Sequence, residues 1–288
     1  MDVEAIVGGS SLSLVVLAHD GLGMAPLHRL VERGPLQHGD TDVGFRLDPR
    51  IFSLVLALRG SSYSDLYSSH RKTLQDTFAP MGSLKLLFTL NDGSERQIDC
   101  DVIDAPLPHD ARKEWAANVT AVRFRAPDPT LYDPTGKTVT FGLTGGGTGT
   151  QVPLEVPLEV GASALDQTVP ITYAGNFRSL PWRIRILGPI TDPVITNLMT
   201  DEKLDFTGTT IGAADYYDID CRYGQKTVED ASGTNKIADL TDDSDLATFH
   251  LAAHPEADGG QNDINVTGSS VDGDTEIYFN YYERYLGI

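Results

Sequence analysis

The sequence has little cysteine, little positive charge and no long apolar run. Its two cysteines, Cys100 and Cys221, stand far apart with no C-x-x-C or Cys/His spacing. That argues against a disulfide framework or a zinc site and leaves two unpaired small core residues as the expectation. No stretch approaches the roughly 18 apolar residues of a membrane-spanning helix, so no membrane insertion is expected. The start, M-D-V-E-A-I-V, is acidic and lacks the basic region of a secretory signal.

Lys and Arg number 22 against 41 Asp and Glu, a net charge of −19. Residues 1–135 hold 18 acids and 13 bases, and residues 136–288 hold 23 and 9, so the second half carries most of the excess. Such a surface should not grip nucleic acid through its phosphates.

Catalytic signatures are missing too. There is no G-x-S-x-G elbow, P-loop or H-E-x-x-H, so no catalytic residue is named and no enzyme is expected. Seven histidines are scattered, at positions 19, 28, 38, 70, 109, 250 and 254. His250 and His254 would share a helical face, but A-T-F-H-L-A-A-H-P reads as a strand running into a loop. The acids of L-T-D-D-S-D-L (Asp242, Asp243, Asp245) could take calcium loosely, though they miss the EF-hand spacing. Those of V-D-G-D-T-E read as a hairpin turn. G-G-G-T-G follows no strand-to-helix turn and reads as a loop, not a dinucleotide fingerprint. No metal and no cofactor are expected.

What is present is structural. S-S-Y-S-D-L-Y-S-S-H-R-K-T-L-Q-D-T-F-A-P predicts a helix: serines 61, 62 and 64 can cap it, Asp65 suits its positive end, and Pro80 stops it. Leu66, Tyr67, His70, Leu74 and Phe78 give it an apolar stripe. Strands are expected around it, in D-V-G-F-R-L-D-P-R, I-F-S-L-V-L-A-L-R-G, S-L-K-L-L-F-T-L, R-Q-I-D-C-D-V-I-D and N-V-T-A-V-R-F-R-A. N-D-G-S-E joins two of them as a hairpin.

The second half offers only short strand-like runs between turns at roughly 8–15-residue spacing, the mark of an antiparallel sandwich. L-A-T-F-H-L is counted among them, as is V-P-L-E-V-P-L-E-V, a four-residue echo that fits an edge strand or an arm. Aromatics gather in A-D-Y-Y-D-I-D and I-Y-F-N-Y-Y-E-R-Y. Alternation would put Ile277, Phe279 and Tyr281 inward and Tyr278, Asn280 and Tyr282 outward. Tyr216, Tyr217, Tyr278 and Tyr282 are the candidate glycan or partner contacts.

Texture and charge change at R-F-R-A-P-D-P-T-L-Y-D-P-T-G. Prolines at 127, 129 and 134 make this a stiff joint, with Asp128 and Asp133 as turn formers and Tyr132 as a wedge between domains. The expected division is an N-terminal domain over 1–126, a linker over 127–136 and a C-terminal domain over 137–288.

These runs resemble the distal tail proteins of long-tailed phages. The strand–helix–Pro–hairpin order over 47–103 is similar to that family's N-terminal domain. I-T-Y-A-G-N-F-R-S-L-P-W-R-I-R-I-L-G-P-I-T-D-P-V-I-T-N and D-Y-Y-D-I-D-C-R-Y-G-Q-K-T-V resemble its second domain. Two departures stand out: the closing turn is enlarged to H-P-E-A-D-G-G-Q-N-D, and Ala213-Ala214 precede Asp215 where a glycine is usual. The resemblance implies a mainly β protein, an N-terminal β-sandwich with one α-helix followed by a C-terminal galectin-like β-sandwich. It implies a structural virion protein at the distal tail tip, assembled in the host cytoplasm as a hexameric ring. The implied neighbours are the tail tube protein, a tail-associated lysin or hub protein, the tape-measure protein and receptor-binding proteins, around a channel that DNA crosses unbound. Ring contacts are expected from edge strands within 40–60 and 84–104. The alternative is a carbohydrate-binding module that adsorbs to the host cell wall through those four tyrosines.

Overall fold

The computed structural model describes residues 1–80, 82–106, 117–143 and 165–288. The V-P-L-E echo, the G-G-G-T-G run and His109 lie outside the described residues. The chain is mainly β and divides into two compact units: Met1–Pro134 together with Tyr285–Ile288, and Thr135–Arg284.

The first unit contains β1 (Asp2–Val7), β2 (Ser10–Leu14), β3 (Val16–Asp20), β4 (Leu27–Glu32), β5 (Thr41–Leu47), β6 (Arg50–Arg59), β7 (Leu84–Thr89), β8 (Glu95–Asp104), β9 (Ala117–Ala126) and β10 (Leu131–Tyr132). Its main sheet runs β2-β1-β7-β8-β9-β6-β3. β8 changes partner midway: Glu95 to Cys100 pair with β7, and Asp101 onward pairs with β9. A strand that serves two sheets turns the corner of a sandwich, so both inner faces bury one core. Leu86, Phe88 and Ile98 meet Phe52, Leu54 and Phe124 there, with the Phe52 and Phe124 rings stacked at 5.1 Å.

The edges of this sheet are β2 and β3. The strands expected to be edges, β6, β7 and β8, are interior, because three strands from the first 20 residues add outside them. Among the described residues β5 pairs only with β4, in a separate two-stranded sheet. The N-D-G-S-E hairpin forms as predicted, with Gly93 at φ +83° and the Asp92 carboxylate taking the Ser94 N–H.

The helix is in place but interrupted. A turn of α-helix (Tyr63–Asp65) leads into a π turn (Leu66–His70) and then an α-helix (Arg71–Thr77). Ser62 caps it, accepting the Asp65 N–H. Of the predicted stripe, Leu66, Leu74 and Phe78 are buried. Tyr67 instead packs its ring at a tilt against Tyr63 and His70 faces Asp65, because the π turn inserts a residue into the helical period.

The second unit is a two-sheet sandwich. One sheet orders β11 (Lys137–Gly142), β20 (Glu276–Tyr281), β13 (Arg183–Leu187), β17 (Tyr216–Asp220) and β18 (Thr227–Asp230). The other orders β12 (Leu165–Thr172), β19 (Gln261–Ser269), β14 (Ile190–Asn197) and β15 (Glu202–Asp205), with β16 (Thr210–Ile211) also on β14. Isoleucines 184, 186, 195, 264 and 277 fill the space between them. L-A-T-F-H-L is not a strand. The Asp245 carbonyl accepts the Thr248 and Phe249 N–H groups, which closes a turn and buries Leu246, Phe249 and Leu251 together. The last strand, β21 (Arg284–Tyr285), pairs with β10, and the chain end belongs to the first unit.

Candidate functional site

Alternation on three adjacent strands builds one outer face of the second unit, except that Asn280, expected outward, is buried by its bonds to Thr138 and the Arg183 carbonyl. β13 turns Ile184 and Ile186 into the core and leaves Arg183 and Arg185 outside. β17 buries Tyr217 and Ile219 and leaves Tyr216 and Asp218 outside; β20 buries Ile277, Phe279 and Tyr281. Register sets Arg185 opposite Asp218 on one side and Tyr278 on the other.

Arg185 is the centre of this face. Its Nε and Nη2 donate to the two Asp218 oxygens at 2.7 and 2.6 Å, and its guanidinium lies 3.8 Å from the Tyr216 ring centre. The Asp218 bonds hold its pKa above the usual arginine value. Tyr278 donates its hydroxyl to Glu276, and that bond, then burial and the Glu276 charge, raise the phenol pKa. Arg185 therefore stays charged and Tyr278 protonated at neutral pH. The face is a hydrogen-bonded surface in which these groups answer one another.

The four candidate tyrosines are split by the fold. Tyr216 and Tyr278 flank Arg185. Tyr217 faces inward at 5% exposure and donates to Asp239 at 2.6 Å, so it cannot present its ring to a ligand. Burial and that bond push its pKa well up. Tyr282 lies past the end of β20 with its ring 6.3 Å from that of Trp182, over which Arg183 also sits at 4.9 Å.

The other candidates resolve into structure. Asp245 accepts the Lys203 N–H at 3.0 Å, while Asp243 is largely exposed. No cluster of three metal-ligating side chains occurs among the described residues. Asp272 caps the turn after β19 by accepting the Asp274 N–H. His250 is buried, its Nδ1 2.9 Å from both Glu202 Oε2 and the Thr248 carbonyl. Cys100 and Cys221 are free and buried, and burial pushes the Cys221 thiol up to about 12. Tyr132 donates to Asp99 at 2.7 Å and accepts from Gln97 at 3.1 Å, so its hydroxyl is bonded inside the first unit. Asp128 forms the expected turn, accepting from the Thr130 N–H and hydroxyl.

One residue had no mark in the sequence. Arg50 is fully buried and, among the described residues, pairs with no carboxylate. It donates to the carbonyls of Pro129 (2.7 Å), Gly21 (3.1 Å), Gly23 (2.7 Å) and Leu286 (2.5 Å). A lone arginine at the start of a strand carries no sign of such partners.

Against solved structures, the chain is similar to the Dit protein of phage SPP1, described as a paradigm of the hub adsorption apparatus in phages that infect Gram-positive hosts. The TM-score is 0.64 at 13% identity, covering 98% of both chains. It is also similar to a chain of the phage P2 baseplate in its calcium-activated conformation, with TM-score 0.52 at 9% identity, covering 100% of this chain and 99% of that one. The same baseplate with strontium gives 0.51 at 8% identity. No family model matches the sequence, and no curated protein matches it. At these identities the likeness is one of fold.

Proposed function

We propose that this chain is a structural, non-enzymatic hub component at the distal end of a long-tailed phage's tail. It assembles as a ring of six copies between the tail tube and the receptor-binding apparatus. The observation that carries this reading is the likeness to the SPP1 hub protein, which runs through 98% of both chains and so takes in both units. The baseplate chains agree with it over the full length. The partners that follow are the tail tube protein, a tail-associated lysin or hub protein, and the tape-measure and receptor-binding proteins. A chain of net charge −19 suits a channel that DNA must cross without sticking. Antibodies against the purified chain should decorate the tail tip in micrographs of the phage that encodes it. Decoration of the head, or of no part of the virion, would sink the assignment.

The carbohydrate reading draws its support from the Trp182–Tyr282 ring pair, since a sugar's apolar face can stack on an aromatic ring. Cell-wall glycan binding that disappears in Tyr282→Ala would favour it, and binding indifferent to that change would remove it.

A further inference from the structure

We infer that Trp182, Arg183 and Tyr282 form a binding site for an acidic sugar, the rings taking the sugar's apolar face and Arg183 its carboxylate. The inference rests on the carbohydrate reading above and names the class of sugar that this site selects. All three residues are half-buried and belong to the second unit.

Arg183 is a charge without an answer. Nearby, Arg185 holds Asp218 and Arg222 holds Asp220, each with a contact of 2.6 Å. Asp220 lies one position beyond the Ile184–Ile219 pair, across from Arg183, but both of its oxygens accept from Arg222. Among the described residues Arg183 pairs with no carboxylate, and its Nε is buried without a hydrogen-bond acceptor. The neighbouring Trp182 Nε1 is buried and unpartnered as well. Buried donors are ordinarily satisfied, so two orphans on consecutive residues point to a role beyond packing.

The three side chains are held together. The Arg183 guanidinium lies 4.9 Å from the Trp182 ring centre, and the Tyr282 ring is stacked 6.3 Å from that of Trp182. Hydrogen bonds to β20 fix their base. The Trp182 N–H donates to the Asn280 carbonyl at 3.0 Å, and the Asn280 side chain donates to the Arg183 carbonyl at 3.2 Å. At the rim, Gly136 is exposed, and a Cβ there would stand 3.4 Å from Tyr282 and 3.8 Å from Trp182. The glycine brings no side chain to the ring edges, where any other residue would place one.

Chemistry selects the ligand. A sugar ring has an apolar face that stacks on an aromatic ring, and a carboxylate offers two coplanar oxygens that match the guanidinium fork. An arginine shielded by rings meets less competition from water, which strengthens its pull on one nearby anion. A dense polyanion fits poorly, because residues 136–288 carry 23 acids against 9 bases and repel many charges at once. A single carboxylate feels that repulsion only within about 8 Å at 0.15 M salt, where Arg183 opposes it. The ligand is thus a glycan with isolated uronic acid residues.

The test uses the full chain in isothermal titration calorimetry. The probe is a tetrasaccharide that alternates glucuronic acid with N-acetylglucosamine, run beside its carboxyl-reduced, neutral counterpart. Wild type should bind the acidic form at least about tenfold more tightly than the neutral one. Arg183→Gln should bind the two alike, and Arg183→Lys, which keeps the charge but lacks the fork, should keep only part of the preference. Tyr282→Ala should lose both sugars. Gly136→Leu, which adds a side chain at the rim and leaves Arg183 in place, should lose both as well, and that comparison holds even where an Arg183 variant fails to fold. Equal binding of both sugars by wild type would overturn the inference and leave the carbohydrate reading intact. A preference that persists in Arg183→Gln, or undiminished binding by Gly136→Leu, would overturn the site. A wild type that binds neither sugar would overturn the inference, while the cell-wall assay above decides the reading it rests on.

Discussion

Arg50 Nη2 lies 2.5 Å from the carbonyl oxygen of Leu286, a residue 236 positions further along the chain. The guanidinium fork collects carbonyls from three separate segments: the Gly21–Gly23 turn, the proline-rich stretch at Pro129 and the chain end. Lysine could not copy this, because one ammonium cannot reach in several fixed directions. Burial lowers the Arg50 pKa, and the four carbonyls are what make a buried cation tolerable. Arg50→Met should therefore strand those carbonyls and cost about 3 kcal/mol or more, read as a lower denaturant midpoint. A loss under about 0.5 kcal/mol would mean that water replaces the arginine without penalty.

The chain end should matter to the first unit. The Leu286 carbonyl accepts the Ala25 N–H at 2.9 Å, Ile288 donates to Leu22, and Arg96 lies 3.5 Å over the Tyr285 ring. Deleting residues 285–288 should speed amide hydrogen exchange in β6 and around residues 22–25. β13 and β17 should keep their protection. Equal loosening of both units would show that the tail is not specific to the first. Gly287→Ala should give a milder form of the same pattern, since its Cβ would stand 2.6 Å from the Gly23 carbonyl oxygen, a backbone atom with little room to yield.

The His250–Glu202 pair predicts a pH dependence. Burial opposes the imidazolium, but the Glu202 bond and charge outweigh it, so the His250 pKa lies above 6.5. Burial also opposes the Glu202 carboxylate, yet its bonds to His250 and Thr248 carry its pKa below 4.5. The histidine contribution is complete below 6.5 and fades as pH rises through its folded value. The glutamate contribution is complete above 4.5 and fades as pH falls through its folded value. The pair should thus stabilise the second unit most between pH 4.5 and 6.5. The gap in unfolding temperature between wild type and His250→Gln should be widest there and shrink toward alkaline pH. A gap that widens with pH would contradict the pairing.

Tyr217 and Tyr216 should behave differently although they are adjacent. Tyr217→Phe removes the buried hydroxyl bonded to Asp239 and leaves that half-buried carboxylate short of a donor, for a loss of about 1 kcal/mol. Tyr216→Ala removes a half-buried ring from under Arg185 and should cost no more than about 1 kcal/mol, the usual range of a partly exposed cation–π contact. Chemical denaturation of the two variants decides it. A larger loss at Tyr216 would reverse the assignment of core and surface.

Much of this was legible in the residues. Alternation around Ile184, Ile186, Ile277 and Phe279 marked the inner faces of the second sandwich. Asn91-Asp92-Gly93 marked a hairpin because its chemistry is local and its glycine adopts the positive φ that the turn needs. The failures came where partners are remote. L-A-T-F-H-L alternates on paper, yet the Asp245 carbonyl and the neighbouring core make it a buried turn. Tyr216 and Tyr217 look equivalent in sequence, and only the register of β17 against β13 turns one outward and the other in. The strands of the first 20 residues are short and broken by glycines, and they became visible only through their pairing with β6 and β7.

By itself, then, the sequence determined the class: mainly β with one helix, acidic, poor in cysteine and without a catalytic signature. Those properties follow from composition and from periods of two to eight residues, which any short window displays. The tertiary structure decided which strands are edges, which tyrosine faces the core, and where the chain ends. Each of these depends on a contact between residues far apart in sequence. Arg50 shows why: its hydrogen-bonding capacity is fixed by its own chemistry, but the carbonyl at Leu286 reaches it only after the rest of the chain has folded between them.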